Sequence, residues 1–276
     1  MREILNFIRK ELRNFYSEGE IESIIRLIFE IKFNFSSLDI HLKVDFPADN
    51  FFIIEKIISE LKNQKPIQYI LGETEFLGLK FFVNESVLIP RSETEELVDK
   101  IIKENRNSKL KILEIGTGSG CIAVSLKKFL RNCEVDAFDI SNLAIEMAKK
   151  NAILNEVEIN FFEQNIFSFD SEKKYDLIVS NPPYVCDSEK FLMNANVLNF
   201  EPPIAIFVPD DSSLIFYEKI AFLGKKNLAR NGRIYLEINE NLFEETKNVF
   251  AKNGYQKIEI FRDIHEKNRM LRAVLE

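Results

Sequence analysis

The chain has 276 residues, enough for one large domain or two modest ones with a sizeable core. Hydrophobic residues make up 46% and charged residues 29%, which excludes a disordered or collagen-like chain. The formal net charge of -7 argues against a surface built to grip bare phosphate backbone, and Cys121, Cys133 and Cys186, with no C-x-x-C or Cys/His cluster, suggest neither a disulfide framework nor a zinc site.

The opening MREILNFIRKELRNFY interrupts its apolar residues with charges every two or three positions, so it predicts a helix and not a secretory signal. No apolar run approaches the roughly 20 residues needed to span a bilayer, and the expected compartment is cytoplasmic. Ile4, Leu5, Ile8 and Leu12 recur at helical spacing, as do Ile21, Ile24, Ile25 and Ile28, and then Phe51, Ile54, Ile57, Ile58 and Leu61. This predicts a helical unit over residues 1–71. From Glu75 the pattern changes to two short β-type runs, around Leu79–Lys80 and Asn84–Ser86, stopped by Pro90. Residues 72–90 are therefore expected to be a hairpin linker. Ser92 with Glu95 has the form of a capping box that starts the helix TEELVDKIIKEN.

Residues 91–276 then alternate. Strand 111–115 precedes helix 121–130, strand 134–140 precedes helix 142–154, and strands 158–165 and 175–180 lead to a helix near 212–229, strand 233–239 and helix 242–254. Such alternation predicts an α/β fold, a parallel sheet with covering helices. The last two strands, 255–264 and 270–276, have no helix between them and must pair antiparallel, so the sheet is expected to end in a hairpin.

The first motif that carries chemistry is LEIGTGSG, a strand running into Gly116, Thr117, Gly118, Ser119 and Gly120 before a helix. Glycines there let the backbone turn sharply and approach a ligand, while the helix N-terminus presents free N–H groups. A dinucleotide fingerprint would need its third glycine at position 121, where the chain has Cys121. The G-x-G-x-G form instead resembles the S-adenosylmethionine loop of class I methyltransferases. Asp139 closes the next strand, where a carboxylate could accept hydrogen bonds from both hydroxyls of an unphosphorylated ribose. It could equally be a solvated strand end or cap helix 142–154, a task Ser141 could perform instead. Glu114 could orient the loop or a cofactor amino group, or be structural. Asn165 and Ile166 follow the third strand, where class I methyltransferases hold adenine; Asn165 could offer its amide to a purine edge or simply turn the chain.

The second motif is Asn181-Pro182-Pro183-Tyr184, at the exit of the apolar strand YDLIVS. Sites in α/β sheets form beyond the carboxyl ends of strands, so this tetrapeptide and the glycine loop should open into one crevice. The side-chain oxygen of Asn181 and the backbone oxygen of Pro182 could accept both N–H groups of a planar –NH2. Proline brings no competing N–H and stiffens the backbone. Tyr184 offers a flat face to a substrate and an electron-rich surface near a sulfonium.

An N-P-P-Y string after such a loop marks methyltransferases of conjugated amino groups. From about Pro66 onward the chain resembles release-factor glutamine methyltransferases of the HemK/PrmC type, through PIQYILGETEFLGLKFFVNESVLIPRSETEELV, LEIGTGSGCIAVSL, FDIS with Ala144 and Ala148, SNPPYV and EPPIAIF. The resemblance implies a Rossmann-like class I methyltransferase domain joined by a hairpin to a small helical, substrate-binding N-terminal domain. It also implies S-adenosylmethionine as cofactor and class I peptide-chain release factors as partners, methylated on the glutamine of their Gly-Gly-Gln loop, with no metal, nucleic acid or membrane involved.

Related enzymes that methylate a glutamine of a ribosomal protein tend to lack the PR-x-E-T-E string. Arg91, Glu93, Thr94 and Glu95 therefore favour the release factor, either by touching it or through the plainer roles of helix cap and surface ion pair. After EPPIAIF the family usually shows Gly-Gly-x-Asp-Gly, whereas this chain reads VPDDSS over 208–213. A DNA adenine methyltransferase also acts on a conjugated –NH2, but would need a basic DNA channel. A binding module without catalysis would have no need of Asn181 and Tyr184. His41 and His265 fall outside every motif and are expected at the surface, and Asp263 with Arg269 is expected to be an ion pair.

Overall fold

A computed structural model describes residues 1–276 apart from Lys43 and Asn107. Contacts divide the chain into two units, residues 1–73 with 194–200, and residues 74–193 with 201–276. The first is built on α1 (Arg2–Leu12), α2 (Glu18–Leu27), α3 (Ser37–His41), α4 (Phe51–Lys62) and α5 (Ile67–Leu71). Their periodic apolar positions form its core, with Ile8, Leu12, Ile28 and Ile54 fully buried around Phe29 and Phe46. Ser17 and Glu20 form a capping box at the start of α2, and Gly72, at φ 79, ends α5.

The hairpin that follows is β1 (Glu73–Phe76) and β2 (Leu79–Phe82), earlier than the runs expected at 79–80 and 84–86. Leu77 (φ 50) and Gly78 (φ 73) make a two-residue turn with both residues left-handed, the geometry that joins two twisted strands most tightly. Asn84 instead folds its side-chain oxygen onto the Ser86 N–H at 3.0 Å and makes a turn. Phe76 and Phe81 of the hairpin are fully buried in the core of the second unit, so the hairpin is part of that unit's packing, and the division falls at 73/74 rather than 71.

Next comes α6 (Ser92–Asn105), without the expected capping box: the cap residue is Arg91, Ser92 Oγ donates to Glu93, and Glu95 accepts the Leu77 N–H at 2.8 Å. The turn of the hairpin captured the carboxylate that the box required. The alternation then runs β3 (Leu110–Ile115), α7 (Cys121–Phe129), β4 (Cys133–Asp139), α8 (Asn142–Leu154), β5 (Asn160–Glu163) and β6 (Tyr175–Ser180). A short parallel pair, β7 (Val185–Cys186) and β8 (Phe207–Val208), flanks α9 (Ala195–Phe200), which groups with the first unit. The chain closes with α10 (Ile215–Asn227), β9 (Leu228–Glu237), α11 (Phe243–Lys252), β10 (Gln256–Arg262) and β11 (Asn268–Leu275).

The main sheet has the order β10-β11-β9-β6-β3-β4-β5. Every neighbouring pair is parallel except those of β11, which runs antiparallel to both β9 and β10. This is the Rossmann-like sheet with the terminal hairpin that the sequence predicts. Alternate residues serve opposite faces, so Ile112, Leu177 and Val179 join the core containing α6, α7 and the hairpin, while Leu113, Ile115 and Ile178 join the one containing α10 and α11. The strand order reverses between β3 and β6, which places a crevice beyond their carboxyl ends. Among the described residues no helix is long and apolar enough to cross a membrane.

Candidate active site

One rim of the crevice is the glycine loop. As β3 ends, the N–H groups of Gly116 and Thr117 both donate to the Phe138 carbonyl, at 2.9 and 3.0 Å, which stitches the loop to β4. Gly116 and Gly118 have φ of 73 and 53, and a Cβ on either would meet nothing within 4 Å among the described residues, so their backbone borders open space. Gly120 differs. A Cβ there would lie 3.0 Å from that of Ala148, so this glycine lets α7 approach α8 and stands outside the cavity lining.

Two carboxylates brace the loop. Glu114 is fully buried; its Oε2 accepts from Thr117 Oγ1 at 2.6 Å and from the Ala123 N–H at 3.2 Å. Among the described residues its Oε1 has no partner, and burial pushes its carboxyl up to about 8. Asp139 accepts the Gly118 N–H on Oδ2 at 2.9 Å and the Ser141 N–H on Oδ1 at 3.0 Å, and its pKa too is raised by burial. Capping of α8 is the work of Ser141, whose Oγ accepts from the Ala144 N–H. Asn165 uses its side-chain oxygen to turn the chain, accepting the Phe167 N–H at 2.9 Å, which leaves its amide nitrogen towards other partners.

The opposite rim is the tetrapeptide. Ser180, the last residue of β6, donates to the Ile115 carbonyl at 2.7 Å and pins the two strands where they diverge. Asn181 donates through Nδ2 to Thr94 Oγ1 at 3.1 Å; Thr94 donates to Glu237 Oε2 at 2.6 Å; Tyr184 donates to Glu237 Oε1 at 2.8 Å. Thr94 and Glu237 are both buried. Burial raises the Glu237 pKa against the pull of these two donors, and burial with the neighbouring Glu237 raises the Tyr184 hydroxyl well above its ordinary value. Tyr184 is also held by its backbone, its N–H on the Ile206 carbonyl and its own carbonyl on Asn239 Nδ2. Neither Asn181 Oδ1 nor the Pro182 carbonyl oxygen accepts a hydrogen bond among the described residues.

The two rims enclose a cavity of about 340 Å³, within the usual range for small-molecule sites. Residues 116–119, Asp139, Asn165, Ile166 and 181–183 line it, together with Glu114 and Phe216. Of the residues of the glycine loop and the tetrapeptide, Gly120 and Tyr184 lie outside the lining. Arg91 is not in a surface pair: it binds Glu201, which is buried and also accepts the Ile89 N–H, so the first residue of the EPPIAIF string braces the segment before α6. Glu237 escaped the sequence reading, although a carboxylate set among the apolar residues of YLEIN is a signal. Cys121, its thiol pushed up to about 12 by burial, is no nucleophile. His41 and His265 are exposed, and Arg269 approaches Asp263 at 3.5 Å.

Residues 93–201 match the family model of the methyltransferase small domain. A release factor glutamine methyltransferase of Flavobacterium psychrophilum is 48% identical over 95% of this chain and 94% of its own. The chain belongs to the release factor glutamine methyltransferase family. A second member, from Bacteroides thetaiotaomicron, is 43% identical over 99% of both chains. The fold alone is shared with a methyltransferase from Pyrococcus furiosus, at a TM-score of 0.55 and 20% identity over 72% of this chain and 89% of that one. As methyltransferases, members of the family depend in general on S-adenosylmethionine. Two features of this chain fit that cofactor: the unpartnered Glu114 oxygen suits an ammonium or amino group, and the open backbone at Gly116 and Gly118 suits a ligand in close contact.

Proposed function

We propose that this protein transfers a methyl group from S-adenosylmethionine to the side-chain amide nitrogen of the glutamine in the Gly-Gly-Gln loop of class I peptide-chain release factors. The observation that carries the reading is the polarity of Asn181. Its amide nitrogen is tied to Thr94, so its oxygen, with the Pro182 carbonyl, is left as an acceptor beside the glycine loop. Two acceptors are both satisfied by a planar –NH2, whereas a hydroxyl can give a proton to only one of them and a carboxylate to neither.

Residues 116–119 would hold the methionine part of the cofactor with Glu114, Asp139 the ribose, and Asn165 and Ile166 the adenine. S-adenosylmethionine, when bound, supplies an electrophilic methyl group on a sulfonium. The protein's own task is to make a poor nucleophile adequate. An amide lone pair is delocalised, as the rotation barrier of about 18–20 kcal/mol in peptide bonds measures. Acceptance of both N–H protons by Asn181 Oδ1 and the Pro182 oxygen favours positive charge developing on nitrogen and fixes the direction of approach. No strong base is then required, because the methylated amide cation is acidic enough to release its proton to water or to Asn181.

Among the described residues none of the helical unit lines the cavity, and we assign that unit the grip on the protein substrate. That substrate belongs to translation, so the reading includes a cytoplasmic compartment and no nucleic acid. The test is mass spectrometry of a class I release factor incubated with the protein and S-adenosylmethionine. A gain of one methyl group on the Gly-Gly-Gln peptide is expected, and an unmodified peptide under conditions that show cofactor binding would overturn the assignment.

A further inference from the structure

The methyl-transfer reading depends on which end of the Asn181 carboxamide faces the substrate, and nothing within the tetrapeptide decides that. A carboxamide has two ends of nearly the same shape, and a half-turn about its last bond exchanges acceptor for donor. The decision is made on other elements, by Thr94 in α6 and Glu237 at the carboxyl end of β9.

Glu237 receives a hydroxyl proton on each oxygen, from Tyr184 at 2.8 Å and from Thr94 at 2.6 Å. A threonine hydroxyl has a single proton. With that proton on Glu237, Thr94 has only lone pairs to offer Asn181, and the amide must meet them with Nδ2, as it does at 3.1 Å. The burial of both residues keeps water from offering Thr94 or Glu237 an alternative partner. The same carboxylate holds the hydroxyl of Tyr184, so one buried group sets both polar side chains of the tetrapeptide.

We propose that Thr94 and Glu237 are positioning residues that hold the Asn181 carboxamide with its oxygen towards the substrate, and that this polarity makes the site prefer glutamine over glutamate. The inference rests on the methyl-transfer reading above. A target amide gives its N–H groups to Asn181 Oδ1 and the Pro182 oxygen, whereas a carboxylate meets two oxygens and no donor. Turned over, Asn181 would present Nδ2, lose its grip on the amide and welcome the carboxylate.

Thr94→Val keeps the shape of the side chain and removes the hydroxyl. Single-turnover methyl transfer to a release factor should then fall about ten- to a hundredfold, the effect of losing one well-placed hydrogen bond network member, while the affinity for S-adenosylmethionine and the KM for the release factor change little. The ratio of dissociation constants for the glutamine form of the release factor and a form carrying glutamate at that position should narrow. Thr94→Ser, which restores the hydroxyl, should recover most of both losses, a recovery that a packing role for the threonine methyl would not give. Should Thr94→Val fail to fold, Glu237→Gln decides the matter: it offers one acceptor oxygen to two hydroxyl donors and should lower kcat in the same way. Wild-type transfer and an unchanged glutamine/glutamate ratio in the folded variants overturn the inference. Asn181→Ala separates it from the reading beneath: if that variant loses transfer while Thr94→Val does not, only the positioning role fails, and if Asn181→Ala keeps transfer, the methyl-transfer reading itself fails.

Discussion

The two rims of the crevice are built by opposite means. The glycine loop is braced locally: Glu114 reaches Thr117 and Ala123, three and nine positions away, and Asp139 reaches Ser141 and, across one strand crossover, Gly118. Most of these contacts are to backbone N–H groups. The tetrapeptide is braced through side chains 53, 87 and 143 positions apart, on α6, on the segment that leaves β6 and on β9. A rim made of backbone can receive a ligand wherever the strand-to-helix turn forms. A rim made of distant side chains acquires its chemistry only when the whole sheet is in register. Ligand binding and methyl transfer should therefore fail separately.

Gly118→Asp gives the largest effect expected on the loop side. It forces a side chain into the left-handed region and sets a second carboxylate beside Asp139, so calorimetry should detect no binding of S-adenosylmethionine while circular dichroism remains that of the folded protein. Undiminished binding would remove the loop from the cofactor site. Asn181→Ala is its counterpart on the other rim, with transfer reduced about a hundred- to a thousandfold and cofactor affinity retained. A parallel fall in both quantities would mean that the rims are one unit after all.

Asp139→Ala sharpens the comparison from the middle. Hydrogen bonds to charged groups contribute about 1.5–3 kcal/mol, so cofactor affinity should fall about ten- to a hundredfold. An unaltered dissociation constant would reduce Asp139 to a brace for Gly118 and Ser141. Glu114 predicts a pH dependence. Its folded pKa of about 8 lies above the ordinary carboxylate value, so between roughly pH 4.5 and 8 the folded chain binds a proton that the unfolded chain has released. Stability from this group is full at low pH and is lost as pH rises through that window, by at most about 1.4 kcal/mol per pH unit. Denaturant unfolding of Glu114→Gln should show a flatter profile across the window, and identical slopes in the two proteins would contradict the assignment. Smallest is Ser141→Ala, which removes the cap of α8 and should lower stability by about 1 kcal/mol, leaving transfer by folded protein at the wild-type rate.

The same contrast governs what could be read in the sequence. The limits of α8 and β6, the loop with its glycines, Asp139 and the cap at Ser141 follow from periodicity and short spacings, and the structure places them where they are expected. The terminal antiparallel pair was legible for a topological reason, since no helix intervenes. Misplacement occurred where a distant partner overrules a local pattern. Ser92 and Glu95 have the spacing of a capping box, but Glu95 holds the turn at Leu77. A β-type run at 84–86 gave way to the Asn84 turn. Arg91 looks like a surface cation until Glu201, buried and 110 positions away, is known to hold it. Thr94 was noticed, but its hydrogen bond to the buried Glu237, 143 positions away, leaves no mark in the local pattern.

The close approach of Gly120 to Ala148 divides the glycine motif by kind of selection. A side chain at 120 would need both a left-handed backbone and space already occupied by a neighbouring helix, so α7 and α8 restrict that position whatever the protein binds. Gly116 and Gly118 border open space and are restricted by the turn and by whatever the cavity holds. In a descendant chain released from methyl transfer, 116 and 118 would drift first, to the asparagines and aspartates that tolerate such turns, while 120 and the small residue at 148 persisted together as a record of the fold. The last glycine of the loop thus dates the architecture, and the first two date the chemistry.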